Sequence, residues 1–93
     1  MNVETYHGRL RAMRLCVVCI LLQEGRGCCD ELHHAGDPTE RNDWAVVPLC
    51  DRHHQGVEGI HAMRRRGFVK ATKLSDVTLL AMTAKLFARE WGR

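Results

Sequence analysis

The sequence has no apolar stretch long enough to cross a membrane. Its longest uninterrupted apolar run, at residues 15–22, spans eight residues, whereas a membrane-spanning helix needs about 20. The N-terminus also lacks the order of basic, apolar and small residues that marks a signal peptide. We therefore expect a cytoplasmic protein with no membrane partner.

The chain also lacks internal repeats, low-complexity tracts and linker-like segments. Its 93 residues suit a single domain over 1–93. A core of this size is commonly reinforced by a metal ion or by disulfides. The five cysteines cannot all pair with one another, and cytoplasmic cysteines bind metal more often than they form disulfides. The composition therefore favours a single domain stabilised by metal.

Charge is unevenly distributed along the chain, which has a net charge of +3. Residues 62–93 carry eight basic and two acidic side chains, whereas residues 1–61 carry six basic and nine acidic ones. The C-terminal third is thus the part that would contact a polyanion such as nucleic acid. A solvated helical face accounts for the same charges equally well.

The order of predicted elements indicates an α+β fold. Residues 5–15 fit either a short helix or an irregular arm, and strands are predicted at 28–33 and 44–49 with a polar loop between them. A helix should then begin at Cys50 and Asp51, with Gly56 and Gly59 limiting its length.

A C-terminal amphipathic helix is the clearest predicted element, reached through a basic link that follows residue 61. Ser75 is a suitable N-cap, and the charge of Asp76 suits the first turn. The helix should pack on the core through one apolar stripe. The stripe consists of Val77, Leu80, Ala84, Phe87 and Trp91.

Two residue pairs with two-residue gaps predict a structural zinc site. The pairs are Cys16 with Cys19 and Cys50 with His53. Zinc prefers four such ligands in a tetrahedron, and each short gap lets both members of a pair reach one ion. Buried reduced cysteines are the plainer alternative, and a thioredoxin-like redox role lacks the βαβ pattern it would need. Cys28 and Cys29 fit neither site and are assigned to the first strand.

Five of the six histidines flank the second predicted strand and suggest a shared second site. His33 and His34 are neighbours on a strand, so they should face opposite sides and have different roles. On the following helix, His53 and His54 lie about 100° apart, so His53 can face the zinc while His54 turns towards His33. His61 follows two turns later if the helix continues. Taken singly, any of these histidines could be an ordinary surface residue.

In its central part, the chain resembles the HNH endonucleases, also called ββα-metal nucleases. The matching motifs are ELHH at residues 31–34, VVPLCDRHH at residues 46–54, the preceding pair Cys16 and Cys19, and a later His61. The resemblance spans residues 16 to about 68 and is greatest to the phage recombination-enhancement nucleases, a RecA-dependent branch. It implies a small zinc-stabilised ββα-metal (HNH) domain with a C-terminal amphipathic helix. The zinc knuckle and ββα core would lie at about 16–61, and the basic segment and helix at about 62–93.

The resemblance also implies a role for each matching residue. His34 corresponds to the general base, while His33 and His54, with His61 as a third ligand, correspond to the site of a catalytic metal ion. The structural zinc ligands correspond to Cys16, Cys19, Cys50 and His53. The family's central Asn has no clear counterpart, because Asn42 lies eight residues before Cys50.

The implied activity is metal-dependent hydrolysis of DNA phosphodiester bonds, in phage or prophage recombination or DNA processing within a bacterial host cell. A neutral imidazole can take a proton from water near physiological pH, and a divalent ion can polarise the phosphate. The catalytic ion could be magnesium, manganese, nickel or zinc. Besides DNA, a RecA filament is a partner by resemblance. The residues expected to contact DNA phosphates are Arg64, Arg65, Arg66, Lys70 and Lys73.

Two non-enzymatic alternatives remain open at this stage. The chain could be a zinc module that binds nucleic acid without cutting it, or one that binds a host protein. A nuclease should hold one tight and one exchangeable metal ion, whereas either alternative requires only the tight one.

Overall fold

A computed structural model describes residues 1–27 and 31–92 of the chain. Over these residues the protein is a small α+β structure, which confirms the predicted class. The strands, β1 (Glu31–His34) and β2 (Val46–Leu49), form an antiparallel two-stranded sheet. The helices are α1 (Val3–Ala12), α2 (Val17–Leu21), α3 (Asp51–His54), α4 (Ile60–Thr72) and α5 (Asp76–Trp91).

In the sheet, the histidine doublet lies beside the most buried strand. His33 is opposite Val47 and His34 is opposite Val46, and every residue of β2 is buried. The first strand was predicted at 28–33, and its observed end is one residue later, at His34. Residues 28–30, which include Cys28 and Cys29, lie outside the described part of the chain.

The second strand is shorter than the predicted 44–49, because the residues before it form a turn. The Asn42 side chain accepts a hydrogen bond from the backbone N–H of Trp44 at 2.8 Å, and the Asn42 carbonyl accepts one from Ala45 at 3.0 Å. This side-chain-to-backbone bond competes with extended structure. Trp44 is therefore 47% exposed, and β2 begins at Val46.

The helix after β2 begins at Asp51 with Cys50 as its N-cap, as predicted, but ends at His54. The helix thus stops before Gly56 and Gly59, which were expected to limit it, and it does not continue to His61, which lies in the first turn of α4. Gly59 is the N-cap of α4, and a Cβ at this position would lie 2.8 Å from the carbonyl oxygen of His54. Such contact is too close for any side chain, so glycine lets α4 start directly against the end of α3.

The basic segment, predicted as a link, is helical through most of its length. It forms α4, whose backbone is interrupted at Arg64, with φ 62° and ψ 157°, and which ends at Lys73 in a left-handed conformation. Non-glycine residues adopt such positive φ values rarely. The interruption separates the turn that carries His61 from the more basic part of the helix.

The two terminal helices begin at side-chain caps. Asn2 Oδ1 accepts from the backbone N–H of Thr5 at 2.8 Å, so residues 5–15 start within a helix and not in an irregular arm. Ser75 caps α5 as predicted, accepting from the N–H of Thr78 at 3.2 Å.

The apolar stripe predicted for α5 coincides only in part with the buried face: Leu80 and Phe87 pack against the core, whereas Val77, Ala84 and Trp91 are exposed. Val77 is 76% exposed and Trp91 38% exposed, whereas Leu79 and Thr83 are almost fully buried. Thr83 is accommodated because its hydroxyl donates to the Leu79 carbonyl at 2.8 Å, which satisfies a buried polar group. Because Thr83 is a polar residue type, the apolar pattern of the sequence did not place it on the buried face.

Apolar side chains from most of these elements meet around β2 in one core. Its fully buried members include Leu10, Val17, Val18, Val46, Val47, Leu49, Phe68 and Leu79. The sheet and the short helices α2 and α3 are therefore fixed against α1, α4 and α5. Within the described residues, no helix combines the length and apolar character that a membrane crossing requires.

Candidate metal centres and the histidine-lined cleft

The predicted zinc ligands come together from two short helices. Cys16 is the N-cap of α2 and Cys19 lies within that helix, while Cys50 is the N-cap of α3 and His53 lies within it. The Cys16 sulfur accepts the backbone N–H of Cys19 at 3.5 Å. Each helix start thus presents a pair of donors towards the other.

The distances in this cluster match what one tetrahedral ion requires. His53 Nδ1 lies 3.3 Å from the sulfur of Cys50, 3.4 Å from that of Cys19 and 3.7 Å from that of Cys16. The sulfurs of Cys19 and Cys50 are 3.7 Å apart. Zinc–sulfur bonds of about 2.3 Å and zinc–nitrogen bonds of about 2.0 Å place tetrahedral ligands about 3.5–3.8 Å apart. These residues therefore lie close enough to hold a structural metal such as zinc.

Because these side chains are buried, their ionised forms cost free energy unless a bound cation compensates the charge. Burial raises the pKa of the Cys16 thiol, and together with the neighbouring Cys16 charge it raises the pKa of Cys19 to about 12. Burial, followed by the charge of Arg52, lowers the pKa of His53, which favours its neutral, metal-binding form. A bound cation would displace the thiol protons, so metal affinity should increase with pH.

Two further residues shape the cluster without supplying a ligand. Glu24 Oε1 lies 3.3 Å from His53 Nε2 and also pairs with Arg52. A ring nitrogen that donates to a carboxylate leaves the other nitrogen free for a metal. Gly27, with φ +76°, lies so close that a Cβ would be 2.8 Å from the Cys16 Cβ and 3.1 Å from the Cys19 sulfur. Only glycine fits there.

Three more histidines converge in a second cluster. His33 comes from β1, His54 from α3 and His61 from α4, and one nitrogen of each lies within 4.8 Å of the others. The His33 ring centroid is 5.4 Å from that of His54 and 5.1 Å from that of His61. His54 Nε2 and His61 Nε2 are 3.0 Å apart, close to the separation of about 3.3 Å expected for two nitrogens on one tetrahedral ion. The arrangement could hold a cation and leave it open coordination positions.

A carboxylate fixes the ring of His54. His54 Nδ1 donates to Glu31 Oε1 at 2.7 Å, and the His54 side chain is only 11% exposed. The proton is therefore on Nδ1, and Nε2 presents its lone pair to His33 and His61.

The environment of the second cluster lowers the pKa of two of its members. Burial, followed by the charges of His61 and His54, lowers the pKa of His33 to about 4. Burial and His54 also lower the pKa of His61. Three mutually close imidazoles repel each other's protons, and the neutral imidazole is the form that binds metal.

His34 lies apart from the cluster, as expected for the neighbour of His33 on a strand. Its Nε2 donates to Asp43 Oδ1 at 2.9 Å, and this hydrogen bond is the main reason why the pKa of Asp43 is lowered. His34 contacts Asp43 whereas His33 contacts the other two histidines, but both line one cleft, so the assignment of the doublet to opposite faces stays a prediction. The catalytic role of His34 stays a prediction.

Beside the second cluster is an open cleft of about 650 Å³. The lining histidines are His33, His34, His54 and His61, and the charged lining consists of the basic Arg41, Arg64 and Arg65 and the acidic Asp37 and Asp76. Histidines that can bind a cation and arginines that can bind an anion thus share one concave surface. Such a surface suits a phosphate-containing ligand.

The five predicted DNA-binding residues are distributed over three places. Arg64 and Arg65 line the histidine cleft, and Arg65 also pairs with Asp76 at 3.2 Å. Arg66 and Lys70 line a neighbouring shallow groove. Lys73 is exposed at the end of α4.

Sequence reasoning missed the carboxylates that orient the histidines. Glu31 precedes the doublet by two residues, so its place on the strand that carries His33 was a usable signal. Asp43 and Glu24 gave no such signal, since their contacts depend on the path of the connecting segments. His7, which had no assigned partner, donates from Nε2 to the backbone carbonyl of Asp43 at 2.6 Å.

Comparison of the chain with models of known protein families, with curated proteins and with solved structures gave no match. Functional assignment therefore depends on the geometry of the two clusters and the cleft.

Proposed function

We propose that this protein is a metal-dependent endonuclease of the HNH class that hydrolyses DNA phosphodiester bonds. A structural zinc ion would be held by Cys16, Cys19, Cys50 and His53. A second, exchangeable divalent ion would be held by His33, His54 and His61. Phage or prophage DNA processing, with a RecA filament as a possible accessory, is the biological setting that the sequence resemblance suggests.

One observation supports this proposal more than any other. Three histidines that could bind a metal ion line the same cleft as a separate histidine that is hydrogen-bonded to a carboxylate. His33, His54 and His61 have nitrogens within 4.8 Å of one another, while His34 is bonded to Asp43 and also lines the cleft. A purely structural metal site is closed and usually has four protein ligands. Three histidines beside an open cleft suit a catalytic ion instead.

The chemistry assigns distinct tasks to these side chains. His34 would accept a proton from a water molecule as the water oxygen bonds to phosphorus and the bond from phosphorus to the leaving oxygen breaks. The second metal ion, when bound, would supply Lewis-acid stabilisation of negative charge on the phosphate and the leaving oxygen. Glu31 would keep His54 oriented towards that ion.

The basic residues support DNA as the substrate. Arg64 and Arg65 lie in the cleft wall, where they would contact phosphates near the bond to be cut. Arg66, Lys70 and Lys73 lie further along and at the end of α4, where they would contact neighbouring phosphates. Such contacts provide affinity and position with little sequence preference.

The experiment that tests the proposal is incubation of the purified protein with supercoiled plasmid and magnesium, manganese, nickel or zinc, with and without RecA filaments. We expect nicked or linear product with at least one of these metals. Gln55→Ala is a suitable control variant because Gln55 is exposed just after α3 and has no assigned role.

Metal stoichiometry separates the proposal from the non-enzymatic alternatives. The proposed nuclease binds one ion that resists dialysis and one that exchanges, and His33→Ala should remove only the second. A protein that binds DNA but neither cuts it nor takes up an exchangeable ion would instead be a zinc-containing binding module.

A further inference from the structure

Asp43 contacts His34 through its side chain, although no sequence motif pointed to it. Its Oδ1 accepts the hydrogen bond from His34 Nε2 at 2.9 Å. The His34 side chain is 26% exposed and that of Asp43 is 59% exposed. Because Asp43 lies in the segment that leads into β2 and His34 ends β1, the contact joins the two ends of the β1–β2 connection.

A second hydrogen bond holds the backbone of the same residue. His7 of α1 donates from Nε2 to the Asp43 carbonyl at 2.6 Å. The turn at Asn42 immediately before it is closed by bonds to Trp44 and Ala45. Asp43 is thus fixed by groups that have no contact with the histidine cluster, and it is itself well placed to fix His34.

We propose that Asp43 is a positioning residue for His34, holding the ring so that Nε2 carries the proton and Nδ1 presents its lone pair. This inference rests on the proposed function, in which His34 is the base. The opposite tautomer would place a nitrogen lone pair against a carboxylate oxygen, so the observed contact requires a proton on Nε2.

Three variants test the proposal. Asp43→Ala removes the acceptor, Asp43→Asn keeps an oxygen acceptor without the charge, and Glu40→Ala removes an exposed acid from the same connection. Two quantities are measured: the rate of plasmid cleavage with its dependence on DNA concentration, and the NMR signal of the His34 Nε2–H proton. A hydrogen-bonded imidazole proton exchanges slowly enough with water to be seen downfield, whereas a free one is lost.

In Asp43→Ala we expect kcat to fall about 10- to 100-fold, the range typical of carboxylates that orient a functional histidine, with KM for DNA unchanged. The Nε2–H signal should disappear. Asp43→Asn should retain the signal and recover part of the lost rate, and Glu40→Ala should behave as the wild type. Equal zinc content in all variants would exclude a general loss of folding.

The outcomes separate this inference from the proposed function. A wild-type kcat in Asp43→Ala, or an unchanged Nε2–H signal, would overturn the positioning role while leaving the nuclease assignment intact. If the wild-type protein cuts no DNA, the proposed function fails, and the Nε2–H signal alone decides whether Asp43 orients His34.

Discussion

Replacing Cys50 by alanine should unfold the domain, although Cys50 is the least buried of the four residues in its cluster. A chain of this length has a free energy of unfolding of about 5–14 kcal/mol, and structural zinc contributes about 10–16 kcal/mol in small zinc domains at neutral pH. Loss of the ion should therefore cost about as much as the whole free energy of unfolding of the domain. Loss of packing at Cys50 alone would be minor.

Val18→Ala is the matched control for this prediction. Val18 lies on α2 between two of the cysteines and is fully buried, so its truncation should lower the free energy of unfolding by about 1–3 kcal/mol and leave zinc content unchanged. Far-UV circular dichroism and bound zinc would be measured for both variants and for chelator-treated wild type. If Cys50→Ala were folded and more stable than Val18→Ala, the cluster would owe its stability to packing and the zinc assignment would be refuted.

Two other predictions follow from the charges and the buried histidines. Replacing Arg64, Arg65 and Arg66 by alanine should weaken DNA binding at every sequence. The slope of the logarithm of the binding constant against the logarithm of the salt concentration should decrease in magnitude by about 0.9 per lost phosphate contact. An unchanged slope would mean that DNA binds to another surface. Acid should also destabilise the protein, because the folded state lowers the pKa of His33 from 6.5 to about 4. As the pH falls, the unfolded chain therefore binds a proton at His33 before the folded protein does. The contribution of His33 to the free energy of unfolding is complete above pH 6.5 and declines towards pH 4. A urea midpoint that is constant between about pH 7.5 and about pH 5 would contradict this linkage.

Both clusters of potential metal ligands could be predicted from the sequence because parts of each have local spacings. A two-residue gap fixes Cys16 and Cys19 at one helix start, and the alternation of a strand separates His33 from His34. Only the closure of each cluster depends on the fold, and the antiparallel pairing of β1 with β2 brings α3 to His33.

The features that the sequence did not reveal have equally specific causes. The α5 stripe was only partly correct because Thr83 satisfies its hydroxyl within the helix and is buried, which a count of apolar residues cannot register. His61 reaches His54 from a new helix and not along the old one, because Gly59 allows α4 to begin against α3. Asp43 was missed because its contact with His34 spans a connection whose turn is set by Asn42.

The most direct test of the central claim compares His34→Ala with His33→Ala in plasmid cleavage and metal content. His34 lies outside both clusters, so His34→Ala should keep both ions and its DNA affinity while the cleavage rate falls about 10²–10⁴-fold, the usual consequence of losing a general base. His33→Ala should lose activity together with the exchangeable ion and keep the structural zinc. Wild-type cleavage by His34→Ala would contradict the assignment of the base, and absence of cleavage by the wild-type protein with every metal would contradict the assignment of a nuclease.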